Sequence, residues 1–444
     1  MSIITRDPET AAKEVFDLII LGGGIYGAML CLEASLRGLR PLLIERDDFG
    51  EFTSFNSLRL IHGGFRYLQN FDLKRLMESV GERRFFLRNF PDLVKPFPCL
   101  MPLYGHGLHR PFILRIASLV YDILSRNRNQ NVQSDRHIPP GRIVDSEETK
   151  EIFPSMNSEG LKGGVVWYDA LAEDSQLLLM EILRLSAEYG TTALNYIEAI
   201  ELLKTNNRVS GVRAIDHENS ELCDFNSSIV INACGPWCRD LAGRFDRDEP
   251  DLFRSMLAWN VLLDRKPLSS DHGLGVVPNK PGSRTLFIVP WKGKLLAGTG
   301  HAPWLKNEKD PMPTREQIEG FLDDLNHAIP KLDVGLKDVL RVFPGLQSAK
   351  KTGGIDFAVR EVILNHADHD GPRGLYSISG VKFTTARRVA EKTLKRIFPE
   401  KKVPNNLKTN IPRSHQKVGI DRGILDFDMP ADFHDLKWED ALKT

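Results

Sequence analysis

A chain of 444 residues exceeds what one compact core holds, so two domains are expected. Lys plus Arg and Asp plus Glu both number 59, and a formal net charge of zero excludes a bulk nucleic-acid binder, which should be basic. The apolar fraction of 41% is that of a globular protein, and no run of ~20 apolar residues is present to span a bilayer.

Residues 1–14 form a polar lead-in carrying Asp7, Glu9 and Glu14, with no apolar signal core. Cys31, Cys99, Cys223, Cys234 and Cys238 are odd in number and contain no C-x-x-C pair. That pattern predicts free thiols in a reducing compartment, hence a cytoplasmic protein. Residues 15–46 then read as buried strand, glycine turn, helix, second strand and acid. The block 18–21 is short and wholly apolar, as a parallel strand covered on both faces should be. Gly22, Gly24 and Gly27 hold the G-x-G-x-x-G positions, with Ile25 and Tyr26 between them. Gly22 permits the tight turn, Gly24 lets a pyrophosphate approach, and Gly27 lets helix and strand pack closely. Glu45, ahead of Arg46 at the end of the second strand, is placed to take ribose hydroxyls and disfavours a 2′-phosphate. The fingerprint by itself leaves FAD and NAD both open.

Residues 47–68 read as a long loop rich in small polar residues, including Thr53, Ser54, Asn56 and Ser57, with donors for a large ligand. Residues 72–90 carry apolar positions at helical spacing and read as a surface helix. Pro91, Pro96, Pro98 and Pro102 should break the chain into extended segments. Residues 110–126 read as an amphipathic helix; packing within a cap domain is the expectation, and docking on a membrane surface is the alternative. Residues 127–140 read as a polar loop, 163–168 as a strand and 174–189 as a helix. Strands follow at 195–203, 209–215 and 229–233. Residues 255–340 alternate strands with loops and one helix over 314–328, as an antiparallel substrate sheet would. A hairpin is expected over 356–379 about Asp370-Gly371-Pro372, and Gly380 leads into a helix over 384–397.

Leu60-Ile61-His62-Gly63-Gly64-Phe65-Arg66-Tyr67-Leu68, soon after Gly22-Gly23-Gly24-Ile25-Tyr26-Gly27-Ala28, resembles the FAD-dependent glycerol-3-phosphate dehydrogenases, a branch of the D-amino-acid-oxidase-like flavoproteins. Asn232-Ala233-Cys234-Gly235-Pro236-Trp237, Phe287-Ile288-Val289-Pro290-Trp291 with Gly298-Thr299, and the run from Gly380 to Arg387 continue the likeness in order. It covers residues 16–398, and the His-Gly-Gly-x-Arg-Tyr-Leu segment is specific to the glycerophosphate branch. The family carries a further helical C-terminal domain, expected here to be absent or reduced to a stub. The resemblance implies an α/β fold with a discontinuous Rossmann-like FAD-binding domain and an antiparallel β-sheet plus helices substrate domain. The FAD-binding domain is expected over 15–75, 160–250 and 341–400, the substrate domain over 76–159 and 251–340, and a tail over 401–444.

The implied cofactor is FAD. It would be held by the glycine turn, Glu45 and Arg46, by Thr53, Ser54, Asn56, Ser57 and Arg59 (where the family has Lys), and by Ile61, His62 and Gly63. Ala233, Gly235, Trp237, Gly380, Lys382, Phe383 and Thr384 complete that set. The helix following Gly380 would direct its positive end at the flavin. Matching positions for the basic substrate pocket are Arg66, Tyr67, Arg360 and Lys382. Three stretches depart from the family. An arginine becomes Gln347, a lysine and a histidine become Leu257 and Asn260 with Trp259 between them, and Gly-Thr-Thr-Asp becomes Gly298-Thr299-Gly300-His301. These changes predict a less cationic pocket with a substrate lying against Trp259. Arg66, Lys382 and His301 are the catalytic candidates. His366 and His369 read as part of a polar turn and not as metal ligands, and Cys234 as a packed thiol.

The expected reaction is oxidation of a small, glycerol-3-phosphate-like secondary alcohol, phosphorylated or not, with hydride passing to flavin N5 and electrons onward to a quinone or O2. The alternatives are an amine or amino-acid oxidase on the same scaffold, and a flavin-binding protein with eroded catalysis. Peripheral contact with a membrane is a secondary expectation.

Overall fold

In the computed structural model, which describes residues 4–105, 111–278, 283–306, 311–409 and 411–412, the strand Leu18–Leu21 is buried along its whole length. The reason is coverage from both sides. Leu18, Ile20 and Leu43 of this strand and its neighbour face a cluster built with Ala28, Leu178 and Val389, from the helices Ile25–Ser35, Ser175–Glu188 and Ala386–Ile397. Ile19, Leu21, Leu42 and Ile44 face the other way, against Val212 and Phe225. Those two belong to a three-stranded antiparallel sheet of Ile197–Thr205, Arg208–Asp216 and Leu222–Asn226. Alternation with period two thus survives inside an all-apolar run, because each face has its own apolar cover.

The sheet at this centre has six strands, in the order Val362–Asn365, Leu375–Ser379, Val230–Asn232, Leu18–Leu21, Pro41–Ile44, Thr192–Leu194. All neighbours are parallel except the first pair, which is the hairpin expected about Asp370-Gly371-Pro372. Asp370 turns there with φ 64°, a region its short polar side chain tolerates. Brought together from distant parts of the chain, these strands form the Rossmann-like layer that carries the glycine turn.

A nine-stranded, mostly antiparallel sheet adjoins it, centred on Ser255–Leu263, Lys294–Pro303 and Val339–Ser348 on one side and Val94–Leu103 and Gly163–Ala172 on the other. Gly163–Ala172 and Val339–Ser348, which lie in segments expected to belong to the FAD-binding domain, pair in this sheet with Val94–Leu103 and Ser255–Leu263. The prolines do not fragment residues 94–103. Pro96, Pro98 and Pro102 sit within one ten-residue strand, opposite Ala170, Tyr168 and Gly164. All three occupy even positions, so their missing N–H groups face one edge and the other ladder stays intact.

Two helices differ from expectation. Leu73–Asn89 is no surface helix: it buries Leu76, Val80 and Phe86, and also Glu82 and Arg83. Pro111–Leu124 buries only Leu114, Ser118 and Tyr121 among its described side chains. Its broad apolar side is left in solvent, with Phe112 72%, Leu119 61% and Ile123 61% exposed, against the expectation of packing. No helix among the described residues is long and apolar enough to cross a membrane.

Candidate active site

At the end of the Leu18–Leu21 strand the chain must turn within van der Waals reach of the neighbouring strand. Gly22 does so at φ 105°, where a Cβ would lie 2.8 Å from the Ala233 carbonyl oxygen. At Gly27 a Cβ would fall inside the Gly22 carbonyl, so helix and turn pack backbone to backbone. Gly24 is different. Its φ of −73° suits any residue, and the nearest atom to a Cβ there is Ser54 Oγ at 3.1 Å. What Gly24 keeps clear is the approach to the N-terminus of Ile25–Ser35, where backbone N–H groups lack intrahelical partners. Ser54 Oγ accepts one of them, from Ile25, at 3.0 Å.

Glu45 follows the Pro41–Ile44 strand directly. Its carboxylate accepts from Gly23 N–H at 2.6 Å and Asp47 N–H at 2.8 Å. Burial raises its pKa, and these two bonds oppose the rise. Arg46 lies over Phe52 and Trp237 and bonds Asp47 at 2.8 Å. Asn232 shapes the facing turn: its amide donates to the Cys238 carbonyl at 2.6 Å and to Ser377 Oγ at 3.1 Å. Cys234, in that turn, donates to the Leu21 carbonyl, and burial pushes its thiol up to about 12. The neutral thiol is thereby favoured over the thiolate that a nucleophile requires.

From Glu45 a single cavity of about 740 Å³ runs past the helix N-terminus to Gly380–Thr384. It brings together Gly22, Gly24, Ile25, Tyr26, Glu45, Arg46, Thr53, Ser54, Asn56, Ser57 and His62 from the first part of the chain. Ala233, Gly235, Trp237, Asn260, His301, Gln347, Gly380, Lys382, Phe383 and Thr384 join them from the rest. Tyr26 fastens the far end. Its hydroxyl donates to the Lys382 carbonyl at 2.8 Å and accepts from Lys382 N–H at 3.0 Å. Burial pushes that phenol up to about 12, so it is a neutral donor at neutral pH. Gly380 is required because a Cβ there would enter the Tyr26 ring.

Several expected members are elsewhere. Trp259 is 3% exposed and packs edge-on against Phe321, 6.4 Å between ring centres, in the opposite core. In the Ser255–Leu263 strand Ala258 and Asn260 face the cavity, so Leu257 and Trp259 face away. The indole therefore cannot receive a substrate, and the lysine replaced by Leu257 is no loss to the pocket. Arg59 turns away from the cavity into a second one. Ile61 is core. Gly63 lies behind His62, where a Cβ would meet the Arg83 guanidinium. Tyr67 does not line the cavity: its ring sits 4.3 Å below the Lys382 ammonium and acts through it. Arg360 is exposed on the surface, near Asp72. The side chain of Arg66 lies outside the described residues. His366 is buried between Asp246 and Ser377 at 2.8 and 2.9 Å, and no metal-binding group occurs among the described residues.

Sequence reasoning missed the support behind His62. Asp169 accepts from Gly63 N–H at 2.6 Å and from the Trp167 indole at 3.0 Å, Tyr121 donates to the Gly63 carbonyl at 3.1 Å, and buried Arg83 lies 3.8 Å from Asp169. No local pattern marks these residues, which come from three separate elements. The missed wall residues Thr285, Phe287, Thr299 and Phe357 enclose the end near His301, whose ring meets Phe357 edge-on at 5.0 Å.

A glycine cradle, a helix N-terminus, a ribose-side carboxylate and a long cavity ending at a second glycine turn are what a dinucleotide requires. Over residues 17–394 the chain matches the family FAD dependent oxidoreductase (DAO). It is 30% identical over 405 residues to the glycerol-3-phosphate dehydrogenase of Synechocystis sp., covering 86% of this chain and 70% of that one. It is 30% identical over 427 residues to the mitochondrial glycerol-3-phosphate dehydrogenase of Saccharomyces cerevisiae, covering 87% of this chain and 64% of that one. The fold is similar to the solved structure of glycerol-3-phosphate dehydrogenase from Bacillus halodurans complexed with FAD, with a TM-score of 0.67 and 22% identity over 89% of this chain and 67% of that one. The chain belongs to the FAD dependent oxidoreductase family. It is an FAD-dependent enzyme, and it spans roughly two-thirds of the length of these relatives.

Proposed function

We propose that the protein oxidises a small secondary alcohol of the glycerol 3-phosphate type. One observation carries this reading: Lys382, His62, His301, Asn260 and Gln347 all line the cavity assigned to the cofactor. Among the described residues, Lys382 is the sole Lys or Arg of the cavity outside the ribose side, where Arg46 and Arg244 lie. FAD, when bound, supplies the acceptor for the hydride. Lys382 stabilises negative charge developing on the substrate oxygen, and Tyr67 beneath it keeps the ammonium in place. His301 accepts the hydroxyl proton, with Phe357 orienting its ring. Asn260 is held by Asn56 and Thr299, at 2.8 and 3.2 Å, and positions the substrate as a neutral group.

The departures from the family that line the cavity are Gln347, Asn260 and His301, since Leu257 and Trp259 face the other core. A glutamine in place of an arginine loses one charged hydrogen bond, about 1.5–3 kcal/mol, or one to two decades in affinity for a phosphate dianion. Glycerol 3-phosphate should therefore reduce the flavin with half-saturation well above micromolar. The test is anaerobic titration of the yellow protein with glycerol 3-phosphate, glycerol, other polyol phosphates, hydroxy acids and amines. Bleaching by a polyol or its phosphate supports the reading. Bleaching by amino acids alone would replace it with amine oxidation, and no bleaching by any of them with a cofactor-binding role.

The exposed Phe112, Ile116, Leu119 and Ile123 face supports peripheral attachment to a lipid surface, where a quinone acceptor is met. Vesicle flotation that is unaffected by Phe112→Ser/Leu119→Ser would reject that part.

A further inference from the structure

A second cavity, of about 360 Å³, lies on the other side of the loop that lines the cofactor site. Its walls carry the guanidinium groups of Arg59 and Arg341 among Phe55, Trp291 and Phe343. Arg59 lies 4.7 Å from the Phe55 ring centre, 5.0 Å from Trp291 and 5.6 Å from Phe343. Arg341 lies 4.9 Å from Phe343 and 5.5 Å from Phe55. Two cations thus share the same aromatic rings, and each feels the loss of water: burial lowers both pKa values, Arg59 to about 10.

Arg59 is the informative residue. It is only 3% exposed, one of its terminal nitrogens donates to the Phe55 carbonyl and to Ser175 Oγ, and its Nε is buried with no hydrogen-bond partner. It also adopts φ 64°, costly for a residue with a Cβ. Of the wall carboxylates, Asp174 is near enough to Arg59 to oppose the fall in its pKa, but both are held by backbone and amide donors. Asp174 accepts from Leu177 N–H at 2.9 Å as the cap of Ser175–Glu188, and Asp48 accepts from Phe49 N–H at 2.8 Å and from the Asn195 amide at 2.9 Å. Arg6 is turned to Asp216 and Glu218. Two desolvated guanidinium groups on one cavity, walled by aromatic faces, are suited to a carboxylate or phosphate oxygen attached to a flat apolar body.

We propose that this cavity is an anion-binding site for a small ligand joining a carboxylate or phosphate to a planar ring, and that its occupancy tightens the hold on FAD. The link is the loop 48–59. Phe49, Phe55 and Arg59 wall the second cavity, while Thr53, Ser54, Asn56 and Ser57 wall the first, and Asp48 reaches both. A ligand bonded to Arg59 braces Phe55, and with it the adjoining Ser54 that caps the cofactor helix. The inference rests on the cofactor assignment and is independent of which alcohol is oxidised.

The test uses the intact FAD-loaded protein. FAD release on dilution is followed by flavin fluorescence in benzoate, phenyl phosphate, inorganic phosphate and sodium chloride at equal ionic strength. The expected result is saturable slowing by benzoate or phenyl phosphate, about fivefold or more, the low end of ordinary coupling between sites. The tighter of the two identifies the headgroup. Arg341→Gln should remove the response while keeping FAD content. Arg59→Gln should do the same if it folds, but the outcome does not depend on it. An identical response in Arg341→Gln, or equal slowing by chloride or inorganic phosphate, overturns the proposal.

Discussion

Gly24 and Gly27 sit three residues apart and fail in different ways when altered. A methyl at Gly27 collides with the Gly22 backbone, which cannot yield, so Gly27→Ala should prevent stable folding. A methyl at Gly24 meets only the Ser54 hydroxyl, at 3.1 Å, in a conformation open to any residue. Gly24→Ala should fold and bind FAD poorly, read as flavin absorbance per protein after denaturation. Full FAD content in Gly24→Ala would show that the pyrophosphate does not pass there. Lys382 separates its backbone from its ammonium in the same manner. Lys382→Ala keeps the two hydrogen bonds to Tyr26 and should retain FAD, yet lose about 1.5–3 kcal/mol in kcat/KM for flavin reduction. Tyr26→Phe should do the reverse: weaker FAD retention from the loss of both bonds, about 1–3 kcal/mol. The Tyr26 phenol also sets a pH window. Its pKa is raised from the ordinary value near 10 to about 12, so the neutral form is favoured by folding. The stability it confers is complete below pH ~10 and is lost as pH rises through about 12. Alkaline unfolding of Tyr26→Phe should lack that component, as a tyrosinate absorbance titration would show.

Among the elements, Pro111–Leu124 shows how little amphipathic spacing says about which side is covered. Its apolar residues recur at helical intervals, but the neighbouring elements bury only Leu114, Ser118 and Tyr121 and cover Ala117 and Leu124 in part. Leu119→Ser and Ile123→Ser should change stability by less than about 0.5 kcal/mol, whereas Leu114→Ala should cost about 2–4 kcal/mol, by denaturant midpoint. A large loss from Leu119→Ser would mean that this face is covered in solution. The Ser255–Leu263 strand makes the opposite point. Every residue from Met256 to Leu263 is buried, so the pattern contains no polar-out signal. Which residues face the cavity follows from parity alone once Asn260 is placed, and parity sends Trp259 to the helix side.

At the scale of the molecule, three helices distant in sequence are tied by a buried ion cluster. Arg387, in the last motif of the family likeness, bonds Glu82 of Leu73–Asn89 at 2.6 Å and Glu33 of Ile25–Ser35 at 3.0 Å. Its guanidinium also lies 4.6 Å from the Phe85 ring centre. Both glutamates are nearly without solvent; Glu33 keeps the buried Arg37, whereas removing the Arg387 cation leaves Glu82 uncompensated. Arg387→Met should cost about 3–5 kcal/mol, while a double change that also replaces Glu82 by an apolar residue recovers much of it. Equal stability of Arg387→Met and the parent protein would show that the cluster is solvated.

What the chain determines by itself is whatever depends on neighbours in sequence. The turn at Gly22–Gly27 needs only glycines at set spacing, and the acid at Glu45 only a second strand of the right length. The segment at Gly380–Thr384 needs a turn opening a helix. These were readable because their geometry is local, and they carry the FAD assignment. The substrate side was decided by tertiary structure. Tyr67, Trp259 and Arg59 are correctly spaced for a pocket and are turned away from it by strand parity, by the Lys382 side chain above Tyr67, and by a positive φ at Arg59. Asp169, Arg83 and Tyr121 support His62 from elements far apart in the chain, and only the folded backbone brings them within hydrogen-bond range. Local turns follow from backbone sterics of a few residues, whereas the facing of a side chain follows from the register of whole strands, which no short stretch contains.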